Sequence, residues 1–244
     1  RDLHSFPTRR SSDLLDGAVL DTTGLGLIEN DVYFLSMPSV IRDDAEYDKV
    51  MAAATPLMRA KLGDRYELVA VAKGGWIRFF SNQEIRTPDD LRKVRMGVNR
   101  NMESMTKLMQ SMGVRTVKAD SSSTLLQFNS GALDAMYSSP LFVGALWSQY
   151  RRVVTHMTPF KVSPFFGAIL VNARSWNKIP EYLRPLLRES AERVCKEIGD
   201  QAVRLEDEAI ESMRRSGLVV PPYSAADAAA WSALYADKIG GVVV

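Results

Sequence analysis

The feature that most constrains this sequence is a regular alternation of short apolar runs with segments of helical periodicity. Between residues 94 and 137 the pattern reads strand, helix, strand, helix, strand, with gaps of only a few residues. Short gaps with helices between strands are typical of parallel crossover units. The sequence therefore predicts an α/β fold. The predicted elements here are strands at Val94–Val98, Val114–Lys118 and Leu133–Tyr137 and helices at Asn101–Met112 and Ser121–Ser130.

The same alternation continues on both sides of this stretch. The predicted strands are Val32–Met37, Leu68–Ala72, Trp76–Ser81, Arg152–His156, Phe165–Val171 and Leu218–Val220, with a turn at Gly74–Gly75 between the second and the third. The predicted helices are Asp43–Leu62, a short one from Thr87, Pro140–Gln149, Glu181–Arg215 and Ala225–Ile239. The long helix carries apolar residues at helical spacing, which predicts a core-facing stripe. That stripe comprises Leu183, Leu187, Ala191, Val194, Ile198, Ala202, Leu205, Ala209 and Met213.

Charge and composition exclude several classes of protein. The chain has 31 basic and 29 acidic residues, a net charge of +2, so we predict no basic nucleic-acid surface and no nucleic-acid partner. No apolar run approaches the roughly 18 residues of a membrane span, so we predict no membrane insertion. The single cysteine, Cys195, rules out an intrachain disulfide and fits an inert buried thiol. With two histidines and no nucleophile elbow, phosphate loop or dinucleotide fingerprint, the sequence predicts no cofactor, no metal and no catalytic residues.

The first fourteen residues, RDLHSFPTRRSSDL, have no period of helix or strand and no apolar core of a signal peptide. They resemble the translation of sequencing-adapter DNA at the end of an assembled read. We therefore leave residues 1–14 out of the fold prediction and expect the native chain to begin further upstream.

Several segments carry a family resemblance. WIRFFSN (Trp76–Asn82) is followed by IRTPDDL (residues 85–91), and VRMGV (Val94–Val98) by LQFNSGALD (residues 126–134). LVN at residues 170–172 precedes WNKIP at 176–180, and Gly17–Leu25 and Phe34–Pro38 add weaker similarity. In their order and spacing, over about residues 15–240, these segments resemble the substrate-binding proteins of TRAP transporters, of the DctP type.

The resemblance implies a two-lobed, periplasmic-binding-protein-like fold with a long helix in its C-terminal half. We expect residues 15–92 in an incomplete lobe one, residues 93–165 in lobe two, and residues 166–244 as a crossing strand and helices shared between them. The implied function is capture of a small organic acid or related polar metabolite in the periplasm by lobe closure, and its delivery to membrane permease subunits. An enzyme on a similar two-lobed fold and an effector-sensing domain of a larger regulator are the alternatives.

The resemblance also implies ligand contacts at individual residues. Arg78 matches the family's lobe-one arginine, whose planar fork suits a carboxylate. At the position of the family's second arginine this chain has Gly97. The ligand is then neutral or held by other polar groups, or Arg95 on the same strand face takes over, unless Arg95 points to solvent.

Polar and aromatic side chains complete the predicted ligand set. Asn99 lies where a helix begins and either helps to hold an anion or caps the helix. Tyr137 and Ser138 leave the end of a strand, where ligands collect in open α/β sheets, although Tyr137 fits a tyrosine packed at the hinge with an internally bonded hydroxyl equally well. Thr23 matches a lobe-one loop, and Trp76 and Phe166 match aromatics that border the cleft, although each also fits an ordinary turn or core role. The acids Glu206, Asp207, Glu208 and Glu211 are predicted to form a solvated helix face.

Overall fold

A computed structural model describes residues 15–239 of the chain. The prediction for residues 1–14 lies outside these residues. The strands are β1 (Gly17–Asp21), β2 (Tyr66–Ser81), β3 (Arg95–Asn99), β4 (Arg115–Ala119), β5 (Ala135–Ser138), β6 (His156–Met157) and β7 (Ser163–Asn172). The α-helices are α1 (Thr22–Gly26), α2 (Asp44–Leu62), α3 (Pro88–Lys93), α4 (Glu103–Ser111), α5 (Thr124–Asn129), α6 (Pro140–Ala145), α7 (Trp147–Tyr150), α8 (Ala173–Asn177), α9 (Arg184–Arg215) and α10 (Ala225–Ile239). Two 3-10 helices cover Asn30–Ser36 and Glu181–Leu183.

The described residues form two compact units. Unit 1 contains the chain up to Gly75 together with Pro164–Arg204, and unit 2 contains Trp76–Ser163 and the chain from Leu205 onward. Strands β2 and β7 and helix α9 each contribute residues to both units. By their contacts, residues 76–92 belong to unit 2, and the division into lobes expected from the sequence stays a prediction.

The sheet of unit 2 contains the predicted crossover units. Strand β3 runs parallel to both β4 and β5, and the C-terminal part of β2 pairs antiparallel with β5 and β6. Helices α4 and α5 connect the parallel strands. The carboxyl ends of β3, β4 and β5 therefore meet at one edge, which is where an open α/β sheet binds ligands.

An apolar core beneath this sheet fixes that edge in place. Leu133, Val143 and Val154 are completely buried in it. Further members of the same cluster are Phe80, Ala119, Phe128, Met136, Trp147, Tyr150, Met157, Met213 and Leu218. Residues of α9 and of the chain after it thus complete the core of unit 2.

Unit 1 pairs β1 antiparallel with β7 and contains helix α2. As predicted, α2 begins after Asp43, whose side chain accepts a hydrogen bond from the Glu46 amide at 2.8 Å. The strand predicted at Val32–Met37 is wrong, because this run is a 3-10 helix. Its buried residues Val32, Tyr33 and Ser36 follow a helical spacing rather than the alternation of a strand.

The predicted turn at Gly74–Gly75 is also wrong, because β2 continues through both glycines. A Cβ atom on Gly74 would lie 2.5 Å from Cδ1 of Phe165. The glycine therefore leaves room for an aromatic ring to pack against the strand, while Gly75 adopts a φ of 98°.

Three further elements differ from the prediction. The helix predicted at Pro140–Gln149 is divided into α6 and α7 at Leu146, whose ψ of 17° interrupts the helix. The strand predicted at Arg152–His156 is reduced to β6, and that at Leu218–Val220 to a single bridge between Val219 and His156. The amides of Val153, Val154 and Leu218 donate to carbonyls three to five residues earlier, as in turns, so only the bonds around Thr155 and Val219 resemble those of strands.

The long helix α9 is confirmed, but its predicted core-facing stripe is only partly right. Ala202 and Met213 of the stripe are buried, whereas Leu187, Val194, Ile198 and Leu205 are 41–51% exposed. The buried line of the helix also includes Cys195, Gly199 and Glu206, which the stripe did not contain. Gly199 allows close packing in unit 1, since a Cβ there would lie 3.2 Å from Cβ of Lys73. The thiol is buried as predicted, whereas Glu206 does not belong to a solvated face.

Between residues 15 and 239, no helix is both long and apolar enough to cross a membrane.

Candidate functional site

A small cavity opens at the ligand-binding edge of unit 2, beside the carboxyl ends of β3, β4 and β5. Its volume is about 110 Å³, and it brings together three of the predicted ligand residues, Asn99, Tyr137 and Ser138. Gly97 contributes bare backbone to the wall, and Asp120 lies beside it. Apolar side chains, including Met136, Phe142 and Tyr150, form much of the remainder.

Some of the neutral polar side chains that line the cavity already make hydrogen bonds within the protein. The Asn99 side-chain oxygen accepts a hydrogen bond from the Asn101 amide at 2.9 Å, so Asn99 caps the turn before α4. Its side-chain amide nitrogen is a further donor of this lining residue. The Tyr137 hydroxyl is bonded to the Ser163 hydroxyl, and burial raises its pKa. Ser138, half-buried next to it, adds a hydroxyl that can donate and accept.

Asp120 is the charged member of the cavity, and the sequence analysis missed it. One carboxylate oxygen accepts hydrogen bonds from the Ser122 hydroxyl at 2.7 Å and the Ser123 amide at 3.0 Å. The other lies 2.6 Å from the Arg100 guanidinium. These bonds hold the pKa of Asp120 far below its ordinary value, so the residue is an anion. The signal in the sequence was an aspartate followed by three serines directly after a predicted strand.

Arg78 lies on β2, opposite Ser138 in the β2–β5 register. The residue is only 8% exposed. Its Nη1 donates to the Pro159 carbonyl at 2.5 Å, and its Nε lies 3.6 Å from a carboxylate oxygen of Glu206. Nε itself is buried without a hydrogen-bond partner. Burial lowers the pKa of the guanidinium, and the charge of Glu206 partly opposes this.

Glu206 is a second residue that the sequence analysis did not single out for a site. Its other carboxylate oxygen accepts a hydrogen bond from the Trp76 backbone amide at 2.8 Å. Burial raises the pKa of this carboxyl, while the bond to Trp76 and the charge of Arg78 oppose the rise. The Trp76 ring is itself buried, with the Lys161 ammonium 4.6 Å from its centre. Trp76 thus contributes a backbone donor that anchors the carboxylate facing Arg78.

The structure places the other predicted residues elsewhere. Arg95 makes a two-point contact with Asp134, at 2.7 and 2.8 Å, instead of leaning into the space beside Gly97. Phe166 is completely buried in unit 1, and Thr23 is half-buried there in α1. Among residues 15–239, no group of three His, Cys, Asp or Glu side chains is arranged to hold a metal ion.

The sequence matches the family model of the bacterial extracellular solute-binding protein, family 7 (DctP), over residues 10–239. The chain belongs to this family. This family 7 protein is therefore a solute-binding protein, as the resemblance implied. A search of curated proteins finds no match to its sequence.

Solved structures of TRAP periplasmic solute-binding proteins share its fold. The chain is similar to one from Pseudomonas aeruginosa with bound L-malate, at a TM-score of 0.87 and 12% identity over 98% of this chain and 83% of the other. One from Roseobacter denitrificans with bound β-D-glucuronate has a TM-score of 0.85 and 16% identity, over 98% and 78%. A Bordetella pertussis solute receptor binding pyroglutamic acid has a TM-score of 0.80 and 19% identity, over 98% and 78%. These similarities confirm the predicted periplasmic-binding type of α/β fold.

Proposed function

We propose that this family 7 protein captures a small organic acid and that Arg78 binds its carboxylate. The observation that carries this proposal is the state of the Arg78 guanidinium. It is buried and charged, and its Nε has no hydrogen-bond partner. A carboxylate is the group whose geometry best satisfies such a fork, and a charge-assisted bond of this kind contributes about 1.5–3 kcal/mol.

The cavity supplies neutral contacts to the same ligand. Asn99, Tyr137 and Ser138 line the cavity. The Asn99 amide and the Ser138 hydroxyl can donate to hydroxyl, carbonyl or amide oxygens of a polar metabolite, whereas the Tyr137 hydroxyl is bonded to Ser163. Ser138 is also the register partner of Arg78 on β5, which places a hydroxyl on the strand next to the guanidinium.

We further propose that the protein acts in the periplasm and delivers its ligand to the permease subunits of a TRAP-type transporter. Family membership supports this role, because the family consists of extracellular solute receptors. The family and its structural neighbours are solute-binding proteins, so we do not propose an enzymatic activity. Closure of two lobes around the ligand, together with the ligand contacts of Thr23, Arg95, Trp76 and Phe166, stays a prediction.

A thermal-shift screen of the full chain tests the organic-acid proposal. Each acid is paired with a neutral analogue that lacks the carboxylate: D-glucuronate with D-glucose, and pyroglutamate with 2-pyrrolidone, with L-malate added alone. We expect at least one acid to raise the melting temperature, since a ligand at 100 times its dissociation constant adds about 2.7 kcal/mol to the stability. The neutral analogues should give no shift.

Two arginine variants distinguish a ligand contact from a structural role. Arg78→Lys keeps the charge beside Glu206 but loses the planar fork, so the affinity for the acid should fall about tenfold or more. Arg92→Lys is the matched control, because Arg92 likewise bonds a backbone carbonyl, of Met112, and a carboxylate, of Asp89. Binding that survives in Arg78→Lys as in Arg92→Lys, or stabilisation by neutral analogues alone, would contradict the proposal.

A further inference from the structure

The charge of the unit 2 cavity limits what part of a ligand can enter it. Among the described residues that line the cavity, Asp120 is the charged one, and neither lysine nor arginine is present. Gly97 lines it without a side chain. The cavity therefore offers hydroxyl and amide groups, apolar surface and one fixed anion.

The Asp120 side chain is held in the wall of the cavity by its hydrogen bonds. Only 8% of the residue is exposed, and its two oxygens are bound by Ser122, Ser123 and Arg100. The Asp120 carbonyl also accepts hydrogen bonds from the Ser123 and Thr124 amides, at 3.1 and 2.9 Å, so the residue is fixed in the turn that leads into α5. Arg100 is committed to this carboxylate rather than to the cavity.

The size of the cavity makes it specific for a small part of a ligand. About 110 Å³ accommodates the end of a small metabolite but not an arginine-sized side chain together with it. A Cβ on Gly97 would lie 3.0 Å from a Leu133 methyl group and 3.5 Å from Cβ of Ala119. A side chain at residue 97 would therefore press on the core residue Leu133 and on Ala119, which lines the cavity.

We propose that the cavity is a subsite for the uncharged end of the ligand, and that Asp120 excludes a second carboxylate from it. This inference rests on the proposed function and specifies its substrate class: monocarboxylic acids whose far end carries hydroxyl, carbonyl or amide groups. A second carboxylate would lose its hydration and face a carboxylate at close range, without a free cation. Discrimination between mono- and dicarboxylic acids thus combines attraction of one carboxylate by Arg78 with repulsion of a second one by Asp120.

Isothermal titration of the full chain with matched pairs of acids tests this inference. In each pair the two compounds differ in one carboxylate: D-gluconate against D-glucarate, and the 4-amide of L-malate against L-malate. We expect the monocarboxylate of a pair to bind about tenfold more tightly or better, because like charges in a partly buried site repel strongly.

Two variants should change this preference in opposite directions. Asp120→Asn removes the anion, frees Arg100 and keeps an oxygen for the Ser123 amide, so the preference should fall to about threefold or less. Arg100→Met leaves Asp120 without its partner, and the preference should widen. The Arg100 side chain is 59% exposed, so this variant is expected to fold. Asp89→Asn is the matched control, because Asp89 belongs to an exposed ion pair with Arg92 and does not line the cavity.

The possible outcomes separate the two proposals. Equal binding of both members of a pair overturns the subsite but leaves the organic-acid function intact. The same holds if the preference is unchanged in Asp120→Asn and Arg100→Met. If none of the acids binds the wild-type chain, the organic-acid function fails and the subsite fails with it.

Discussion

The Arg78–Glu206 pair is the residue-scale feature on which the account depends. Both side chains are at least 90% buried, and their charges lie 3.6 Å apart without a direct hydrogen bond. Burying two charges is costly, and removing one partner of such a pair typically costs about 3–5 kcal/mol. Burying an arginine without satisfying all of its hydrogen bonds lowers the stability of the fold. Such a cost is expected at a residue whose role is to bind a ligand.

The sequence predicted one half of this pair and missed the other. Arg78 stood out because the motif around it matched a family element. Glu206 lies among several acids in α9, 128 positions away in the chain, and that run looked like a solvated face. Its burial depends on which face of α9 packs against the sheet of unit 2, and helical periodicity alone did not determine this face. Asp120 was missed for a similar reason. It lines the cavity only because the ends of β3, β4 and β5 lie side by side in the folded sheet.

Asp134 permits a residue-scale prediction about pH. Its two-point contact with Arg95 lowers the pKa of the carboxyl from 3.8 to about 2. A group with a lowered folded-state pKa stabilises the fold fully above its unfolded-state pKa and loses that contribution as the pH falls through the lower value. We therefore expect Asp134→Asn to lose about 1–2 kcal/mol of unfolding free energy at pH 7, and about half of that difference near pH 3.

Urea unfolding of wild type and variant at both pH values measures this difference. Asp89→Asn serves as the control, because its ion pair is exposed and should contribute about 0–1 kcal/mol. A loss in Asp134→Asn that is the same at pH 3 as at pH 7 would show that the Arg95 contact does not act through the charge of the carboxylate.

At the scale of elements, sequence patterns correctly predicted those helices and strands whose formation depends on neighbouring residues. The strands and helices from β3 to β5 and helix α2 follow from alternation, caps and glycine stops, and the structure confirms them. The failures are elements decided by tertiary packing. The glycine pair in β2 signalled a turn, yet the strand continues because Phe165 covers Gly74. The stripe of α9 was chosen by hydrophobicity, although the helix buries the line that contains Gly199.

The packing of Phe165 on Gly74 gives an element-scale prediction. Gly74→Ala places a methyl group against the ring, at a position where Cβ would lie 2.5 Å from Cδ1, so the unfolding free energy should fall by about 1–3 kcal/mol. In a Phe165→Ala background the same substitution should be neutral or slightly stabilising, because alanine loses less backbone freedom than glycine. Urea unfolding of the four proteins gives the coupling energy. If the cost of Gly74→Ala is equal in both backgrounds, the ring is not its cause.

At the scale of the whole molecule, the family and the solved structures agree on a solute-binding fold. The resemblance was spread over several weak segments, such as WIRFFSN and the LQFNSGALD unit, and their order made it specific. Gly97, at the position where the resemblance implies an arginine, lines the cavity of unit 2 without a side chain. We therefore propose that Arg78 recognises the charged group of the ligand and that the cavity recognises its uncharged groups.

A crystal structure of the full chain with an acid that stabilises it in the thermal-shift screen tests this division most directly. We predict a ligand carboxylate oxygen about 2.7–2.9 Å from a guanidinium nitrogen of Arg78, with the uncharged end of the ligand in the cavity beside Gly97 and Asn99. A ligand carboxylate inside the cavity next to Asp120, with Arg78 still bonded to Pro159 and facing only Glu206, would contradict this division.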